Sequence, residues 1–321
     1  MNDQSKFNQP LSGNAMPRVG GPATFMRLPT STDTNELDAC IVGVPFDIGT
    51  SNRPGARLAP REIRDESRLL RPYNMATRAM PFDSIQVADL GDVPINTYHI
   101  RKSFELITEY YTSIFANSCV PLTLGGDHSI VLPILRAAYQ TYGPVAVVHV
   151  DAHADANDKM FGEKYTHGTP FRRAVEEDLL QRDKVVQIGL RGTGYDPADF
   201  DWSKEQGFKV VQAHECWYHS LETMMDEFRS IIGDHPVYLS FDIDGLDPAY
   251  APGTGTPESG GLTTMQGLEI IRGCRGLNFI GGDLVEVSPM FDMTRGTSLL
   301  AANLVYEMLC IHPDVKYRET T

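Results

Sequence analysis

Three short segments concentrate carboxylates and imidazoles: LTLGGDHS at 122–129, VVHVDAHADAN at 147–157 and LSFDIDGLDP at 239–248. In an extended stretch alternate residues face the same way. Asp151, His153 and Asp155 are therefore expected to point together, and so are Asp242 and Asp244. With His128 they make a set of four carboxylates and two imidazoles. Four uncompensated carboxylates at close range repel and raise one another's pKa. No Lys or Arg lies within the three segments, so a metal is the expected counter-charge. The donors are oxygen and nitrogen without a thiolate, which argues against a structural zinc site. That set suits Mn²⁺ and admits Co²⁺, Ni²⁺ or Zn²⁺. Six donors rich in carboxylate suit two ions about 3.5–4 Å apart, a pair whose use is to lower the pKa of a shared water. Any one of these residues alone reads equally well as a helix cap or turn residue. Three such motifs after three apolar runs do not. Gly125 and Gly126 supply the turn that aims His128.

The elements that must carry these motifs alternate along the chain. Short apolar runs rich in Val and Ile occupy 39–45, 85–90, 120–124, 145–150, 185–190, 210–213, 237–241 and 279–287. They alternate only weakly between apolar and polar, as strands covered on both faces do. Helical patterns fall at 60–71, 101–116, 130–142, 220–232, 264–275 and 298–309. Eight strands interleaved with helices predict an α/β fold, three layers α-β-α around a mainly parallel eight-stranded sheet. In such sheets ligands bind outside the carboxyl ends of strands, where all three motifs fall. Residues 1–35, rich in Pro, Gly, Asn and Ser, read as an irregular arm, and 36–321 as a single catalytic domain.

Composition narrows the field. The 321 residues hold 42 Asp and Glu against 28 Lys and Arg, a net charge of −14. Nucleic acid and anionic membranes both demand clustered Lys and Arg, so neither is expected as a partner. Two bound divalent cations would offset part of that charge. The N-terminus has no basic start followed by an apolar run, so it reads as neither signal nor transit peptide. No stretch approaches about 18 consecutive apolar residues, so no spanning helix is expected. The five scattered cysteines, Cys40, Cys119, Cys216, Cys274 and Cys310, read as small buried hydrophobes in a reducing, cytoplasmic protein.

GGDHS, DAHAD and SFDIDGLDP together resemble the metal motifs of the ureohydrolases, the arginase and agmatinase family, and the likeness runs from about residue 15 to 310. It implies an arginase-like fold. It implies one manganese held by His128, Asp151, Asp155 and Asp242, and a second by His153, Asp151, Asp242 and Asp244, with Asp151 and Asp242 bridging. Two more segments match. In YTHGTPF, His167 falls on the family's proton-shuttling histidine; in DLVEVSP, Glu286 falls on the glutamate that pairs with the substrate guanidinium. A carboxylate can grip a guanidinium through two bonds. The implied reaction is hydrolysis of a guanidino compound to urea and an amine, with Asp155, His167 and Glu286 as catalytic residues. The family assembles as trimers or hexamers, so a homo-oligomer, and a homohexamer in particular, is implied.

The substrate depends on the loops at 157–167, NDKMFGEKYTH, and after Arg191. The first loop, with PYNMAT at 72–77 and AVEEDL at 174–179, looks most like the guanidinobutyrases, which cleave 4-guanidinobutanoate to urea and 4-aminobutanoate. In that likeness Asn157, Met160, His167 and Glu286 bind substrate, Met160 as the apolar specificity residue. A carboxylate tail would want Asn157, Lys159 or Arg191; the ammonium of agmatine would want Asp158 or Glu163. Agmatine, 3-guanidinopropanoate, guanidine and biguanides stay open as substrates. Two other classes are carried: an inactive partner subunit, which the complete ligand set opposes, and a single-zinc deacetylase of related fold, which GGDH and the DxD pair oppose.

Overall fold

The protein is seen in a computed structural model that describes residues 6–194, 196 and 199–319. Eight strands form one sheet: β1 (Ala39–Gly43), β2 (Val87–Asp92), β3 (Val120–Leu124), β4 (Val145–Val150), β5 (Leu180–Leu190), β6 (Lys209–Gln212), β7 (Val237–Asp242) and β8 (Phe279–Val285). Their order is β2-β1-β3-β8-β7-β4-β5-β6, and every neighbouring pair is parallel. The expected α/β architecture is thus present, and each expected strand has its counterpart. The helices are α1 (Ala59–Ser67), α2 (Ile100–Ala116), α3 (Val131–Tyr142), α4 (Pro170–Glu176), α5 (Asp201–Glu205), α6 (Glu222–Ile232), α7 (Thr264–Gly273) and α8 (Gly296–Cys310). The two short ones, α4 and α5, and the start of β5 at Leu180 were not anticipated.

Parallel strands need both faces covered, and the side-chain parity of the strands divides two apolar layers. Val148, Val150, Leu239 and Phe241 pack with Ile63 of α1, Phe228 of α6, Ile270 of α7 and Leu304 of α8. Val145, Val147, Val185 and Tyr238 pack on the other face with Phe104 of α2, Leu135 of α3 and Phe171 of α4. Local signals fix the helix starts. Thr263 and Gln266 form a reciprocal capping box at α7, satisfying two backbone N–H groups that the helix cannot. Phe25, Met26 and Leu28 of the N-terminal segment are buried in the first layer, and the Phe25 N–H donates to Asp89 at 2.7 Å.

Chain order and sheet order diverge at the centre. β3 and β4 follow one another in sequence, yet β8 and β7 lie between them. The carboxyl ends of these four adjacent strands therefore open on one place, and they carry all three motifs and Glu286. Among the described residues no helix is long and apolar enough to cross a membrane. All five cysteines are free and buried.

Candidate active site

Each functional side chain is aimed by a break in its strand. β3 ends in Gly125 and Gly126, and a side chain on Gly126 would run into the Phe46 carbonyl. The Asp127 carboxylate then accepts the Ser129 N–H at 2.9 Å and starts the short turn that carries His128. β7 ends on Asp242, whose Oδ1 accepts the Asp244 N–H at 2.8 Å. Residues 151–155 are not extended as strand alternation would require. Asp151 Oδ1 accepts the His153 N–H at 2.6 Å, and Asp155 sits at φ 47°, in the left-handed region. The convergence of Asp151, His153 and Asp155 comes from this turn, not from the pleat. Glu286, at φ 62°, is a second non-glycine residue held left-handed beside the site. Such backbone costs of order 1–3 kcal/mol and persists only where its surroundings enforce it.

The six residues meet. His128 Nδ1 lies 3.0 Å from Asp151 Oδ2, 2.9 Å from Asp155 Oδ2 and 3.3 Å from Asp242 Oδ2. His153 Nδ1 lies 3.4 Å from Asp151 Oδ1 and 3.2 Å from Asp244 Oδ2. Asp151 thus turns one oxygen to each imidazole. His128, Asp151, Asp242 and Asp244 are buried. Although three carboxylates surround it, His128 Nδ1 has no aligned hydrogen-bond partner. A buried nitrogen aimed at oxygens without bonding any of them is the arrangement a cation completes. Two overlapping groups could hold a metal ion: His128, His149 and Asp151, and Asp151, His153 and Asp244.

The electrostatics express the same crowding. Burial, then Asp244 and Asp151, push Asp242 well above the ordinary carboxylate range. Burial and Asp151 raise Asp244 too, against the pull of His153. Burial opposes the charge on Asp151, but His149, His128 and His153 outweigh it and hold Asp151 well below that range. His128 and His153 are raised, the neighbouring carboxylates overcoming the desolvation that favours neutral rings. Protons and a cation thus compete for these side chains, which links metal binding to proton release.

Glu286 and His167 border the group. Glu286 Oε1 accepts the His128 N–H at 2.8 Å and faces His167 Nδ1 at 3.1 Å. Burial lowers the His167 pKa, but Glu286 more than reverses this and lifts it to about 9. Behind the ring, His167 Nε2 lies 2.7 Å from Ser51 Oγ.

The arginase family profile matches residues 37–310. A guanidinobutyrase of Pseudomonas aeruginosa is 63% identical over 97% of this chain and 99% of its own. A mitochondrial agmatinase of Gallus gallus is 58% identical over 97% of this chain and 92% of its own. The solved proclavaminate amidino hydrolase of Streptomyces clavuligerus superposes with a TM-score of 0.88 at 38% identity, over 93% of this chain and 99% of that one.

The chain belongs to the arginase family.

As a ureohydrolase its loop at 157–167 gains meaning. Asn157 donates from its backbone and from Nδ2 to the Gly168 carbonyl at 3.0 and 3.1 Å. Met160 and Glu163 exchange backbone bonds in a tight turn, and a side chain on Gly168 would meet the Met160 sulfur at 2.5 Å. The loop is therefore tied to the residue after His167. Arg191, expected as one partner of a carboxylate tail, is spent elsewhere. Its guanidinium donates to the carbonyls of Gly189, Asp244, Gly245, Leu246 and Glu258 at 2.6–3.1 Å. Asp158, expected for an ammonium, is bonded by Arg173 at 2.9 Å. Of the stretch after Arg191, residues 195, 197 and 198 lie outside the described residues.

Sequence reasoning missed His149, Gln187, Ser240 and Asp283, all without exposed surface. The available signal was a polar residue inside each Val- and Leu-rich run. It missed Ser51 as well, which sits in a loop with no motif.

Proposed function

We propose that this ureohydrolase hydrolyses a short guanidino acid, 4-guanidinobutanoate first, to urea and 4-aminobutanoate, with two Mn²⁺ ions. The observation that carries the reading is His128: its Nδ1 is a buried, unpartnered nitrogen among three carboxylates, while its backbone N–H holds Glu286. The residues proposed to hold the ions are His128, Asp151, His153, Asp155, Asp242 and Asp244, whose oxygen and imidazole donors suit manganese. When bound, the ions supply Lewis-acid activation of water and offset developing negative charge.

The chain's own residues do the rest. Glu286 grips the guanidinium and orients its carbon, the contribution that positioning makes. Asp155 accepts a proton as water adds to that carbon. The bond from carbon to the alkyl nitrogen breaks, and that nitrogen takes a proton from His167 and leaves as the amine. The remaining carbon, with two nitrogens and the added oxygen, becomes urea once that oxygen returns its second proton to His167. His167, protonated up to pH about 9, is suited to the donation.

The guanidinobutyrase relative at 63% identity and the human guanidino acid hydrolase at 55% support an acid tail. Met160 is proposed to contact the methylene chain and Asn157 the carboxylate. Agmatine is the second reading, supported by the Gallus gallus relative; the pairing of Asp158 with Arg173 counts against it. Five free, buried cysteines support a cytoplasmic setting, and the family resemblance a homohexamer. The test is urea release from 4-guanidinobutanoate, 3-guanidinopropanoate, agmatine, arginine and guanidine with Mn-, Ni- and Zn-loaded protein. Preference for agmatine would overturn the substrate; failure to release urea from any would overturn the activity.

A further inference from the structure

Beneath the site the central sheet carries a row of polar residues. Gln187 of β5 is in register with His149 of β4, His149 with Ser240 of β7, and Ser240 with Asp283 of β8. Asp283 is in turn in register with Thr123 of β3. Five adjacent strands thus place a polar side chain at one level, on the face covered by α2, α3 and α4, and none of the five is exposed. Burying a polar side chain costs free energy unless it is bonded, so such a row in a Val-rich sheet demands a reason.

The bonds define it. Gln187 Nε2 contacts His149 Nδ1 at 2.9 Å and the Ala154 carbonyl at 2.9 Å. The carbonyl can only accept, which fixes the amide nitrogen as the donor on that side. His149 Nδ1 must then be an acceptor. The ring proton sits on Nε2, which lies 2.7 Å from Asp151 Oδ2 and donates to it. With both nitrogens so used, His149, although close enough to join His128 and Asp151 around an ion, serves as a support for Asp151. A second arm has the same logic. Ser240 Oγ donates its single proton to Asp283 Oδ1 at 2.8 Å. It must therefore accept from His128 Nε2, also at 2.8 Å. Nδ1, facing the carboxylates, is then the ring nitrogen left for a cation once any proton on it has been released.

We infer that Gln187, His149, Ser240 and Asp283 are positioning residues: one cross-strand layer that fixes the tautomers of His149 and His128 and thereby sets how tightly both cations are held. The inference rests on the proposed two-metal reading of the site. The two arms act at different points. Gln187 acts through His149 on Asp151, which faces both imidazoles; Ser240 acts on His128 alone. Outer hydrogen bonds of this kind are worth about 10- to 100-fold in metal affinity.

The test compares wild type, Gln187→Met and Ser240→Ala by competition against a chelator for Mn²⁺, with the melting temperature of each metal-free protein alongside. The expected result is an affinity loss of about 10- to 100-fold, at both ions in Gln187→Met and at one in Ser240→Ala, whether or not the metal-free protein melts lower for the buried partners left unbonded. Lower melting with unchanged affinity would make the row mere packing and overturn the inference. Should Gln187→Met fail to fold, Ser240→Ala, which removes a single oxygen, decides alone. A wild type that takes up no ions would overturn the two-metal reading and this one with it; wild-type uptake with unaffected variants overturns only this one.

Discussion

The strand-end motifs and the 157–167 loop both border the site, but they are built differently. His128, Asp151, Asp242 and Asp244 stand on the ends of central strands, buried and cross-bonded. The loop is largely exposed, Phe161 by 92%, and hangs from Asn157, Met160 and the Gly168 carbonyl. Groups that must stay within tenths of an ångström of one another need a rigid sheet edge. Groups that choose among substrate tails need only reach the mouth, and a loop does that while sparing the sheet. Chemistry and choice should therefore be separable by mutation.

The largest effect is expected on the sheet side. Asp242→Ala should lose bound metal and lower urea release by more than about 1000-fold, beyond the roughly 10²- to 10³-fold of a single lost stabilising donor. Metal analysis beside a urea assay checks it, and retained activity at full occupancy would sink the assignment. His167 lies at the border of the two regions. Its pKa is raised to about 9, so it carries a proton at neutral pH and loses it as pH climbs through that value. As the proposed acid it should make kcat/KM fall on the alkaline side near pH 9. His167→Asn should cost about 10²- to 10⁴-fold and erase that alkaline limb. A variant with an unchanged pH profile would assign the limb to another group.

That separation also marks what was legible in the sequence. Buried parallel strands announce themselves as Val and Ile runs, so all eight strands and the α/β class were readable. The six metal-motif residues were readable because each lies just past such a run, and the structure brings them together. What stayed hidden needs information that the local pattern lacks. α4 has seven residues, fewer than two full turns and too short to show a repeating pattern, and only Pro170 at its first position marks it. The outer part of β5, Gln181–Lys184 in sequence QRDK, carries charge that masks a strand. His149 and Ser240 look like stray polar residues along the chain. They become neighbours only because β8 and β7 insert between β3 and β4, and strand order is not written in chain order.

A smaller effect is expected from the loop, and it sharpens the contrast. Met160→Ala should raise KM for 4-guanidinobutanoate by about 10-fold, the scale of a lost methylene-sized contact, and leave Mn²⁺ affinity alone. Gly168→Ala should do much the same from a distance, since its new Cβ would lie 2.5 Å from the Met160 sulfur and displace it. Substrate panels with metal titrations read both. A loss of metal in either variant would show that the loop is part of the chemical centre and that the two regions are not separable.

The smallest effect tests the scaffold apart from both. Asp292 accepts the Thr297 N–H at 2.7 Å and the Thr294 N–H at 2.9 Å, capping the start of α8. Burial works against its charge, but these bonds and the two threonine hydroxyls hold its carboxyl at about 2, below the ordinary 3.8. Asp292→Ala should cost about 1 kcal/mol, a shift of about 2 °C in melting temperature, without altering metal affinity or substrate choice. The sign with pH follows from the depressed pKa. The folded protein keeps this carboxylate charged where the unfolded chain would protonate it, so the contribution is complete above pH about 4 and vanishes as pH falls toward 2. Denaturant titrations of the metal-free wild type and variant should therefore differ at pH 6 and converge across that acid window. A gap that persisted at the acid end would mean that the side chain stabilises α8 by packing and not through its charge.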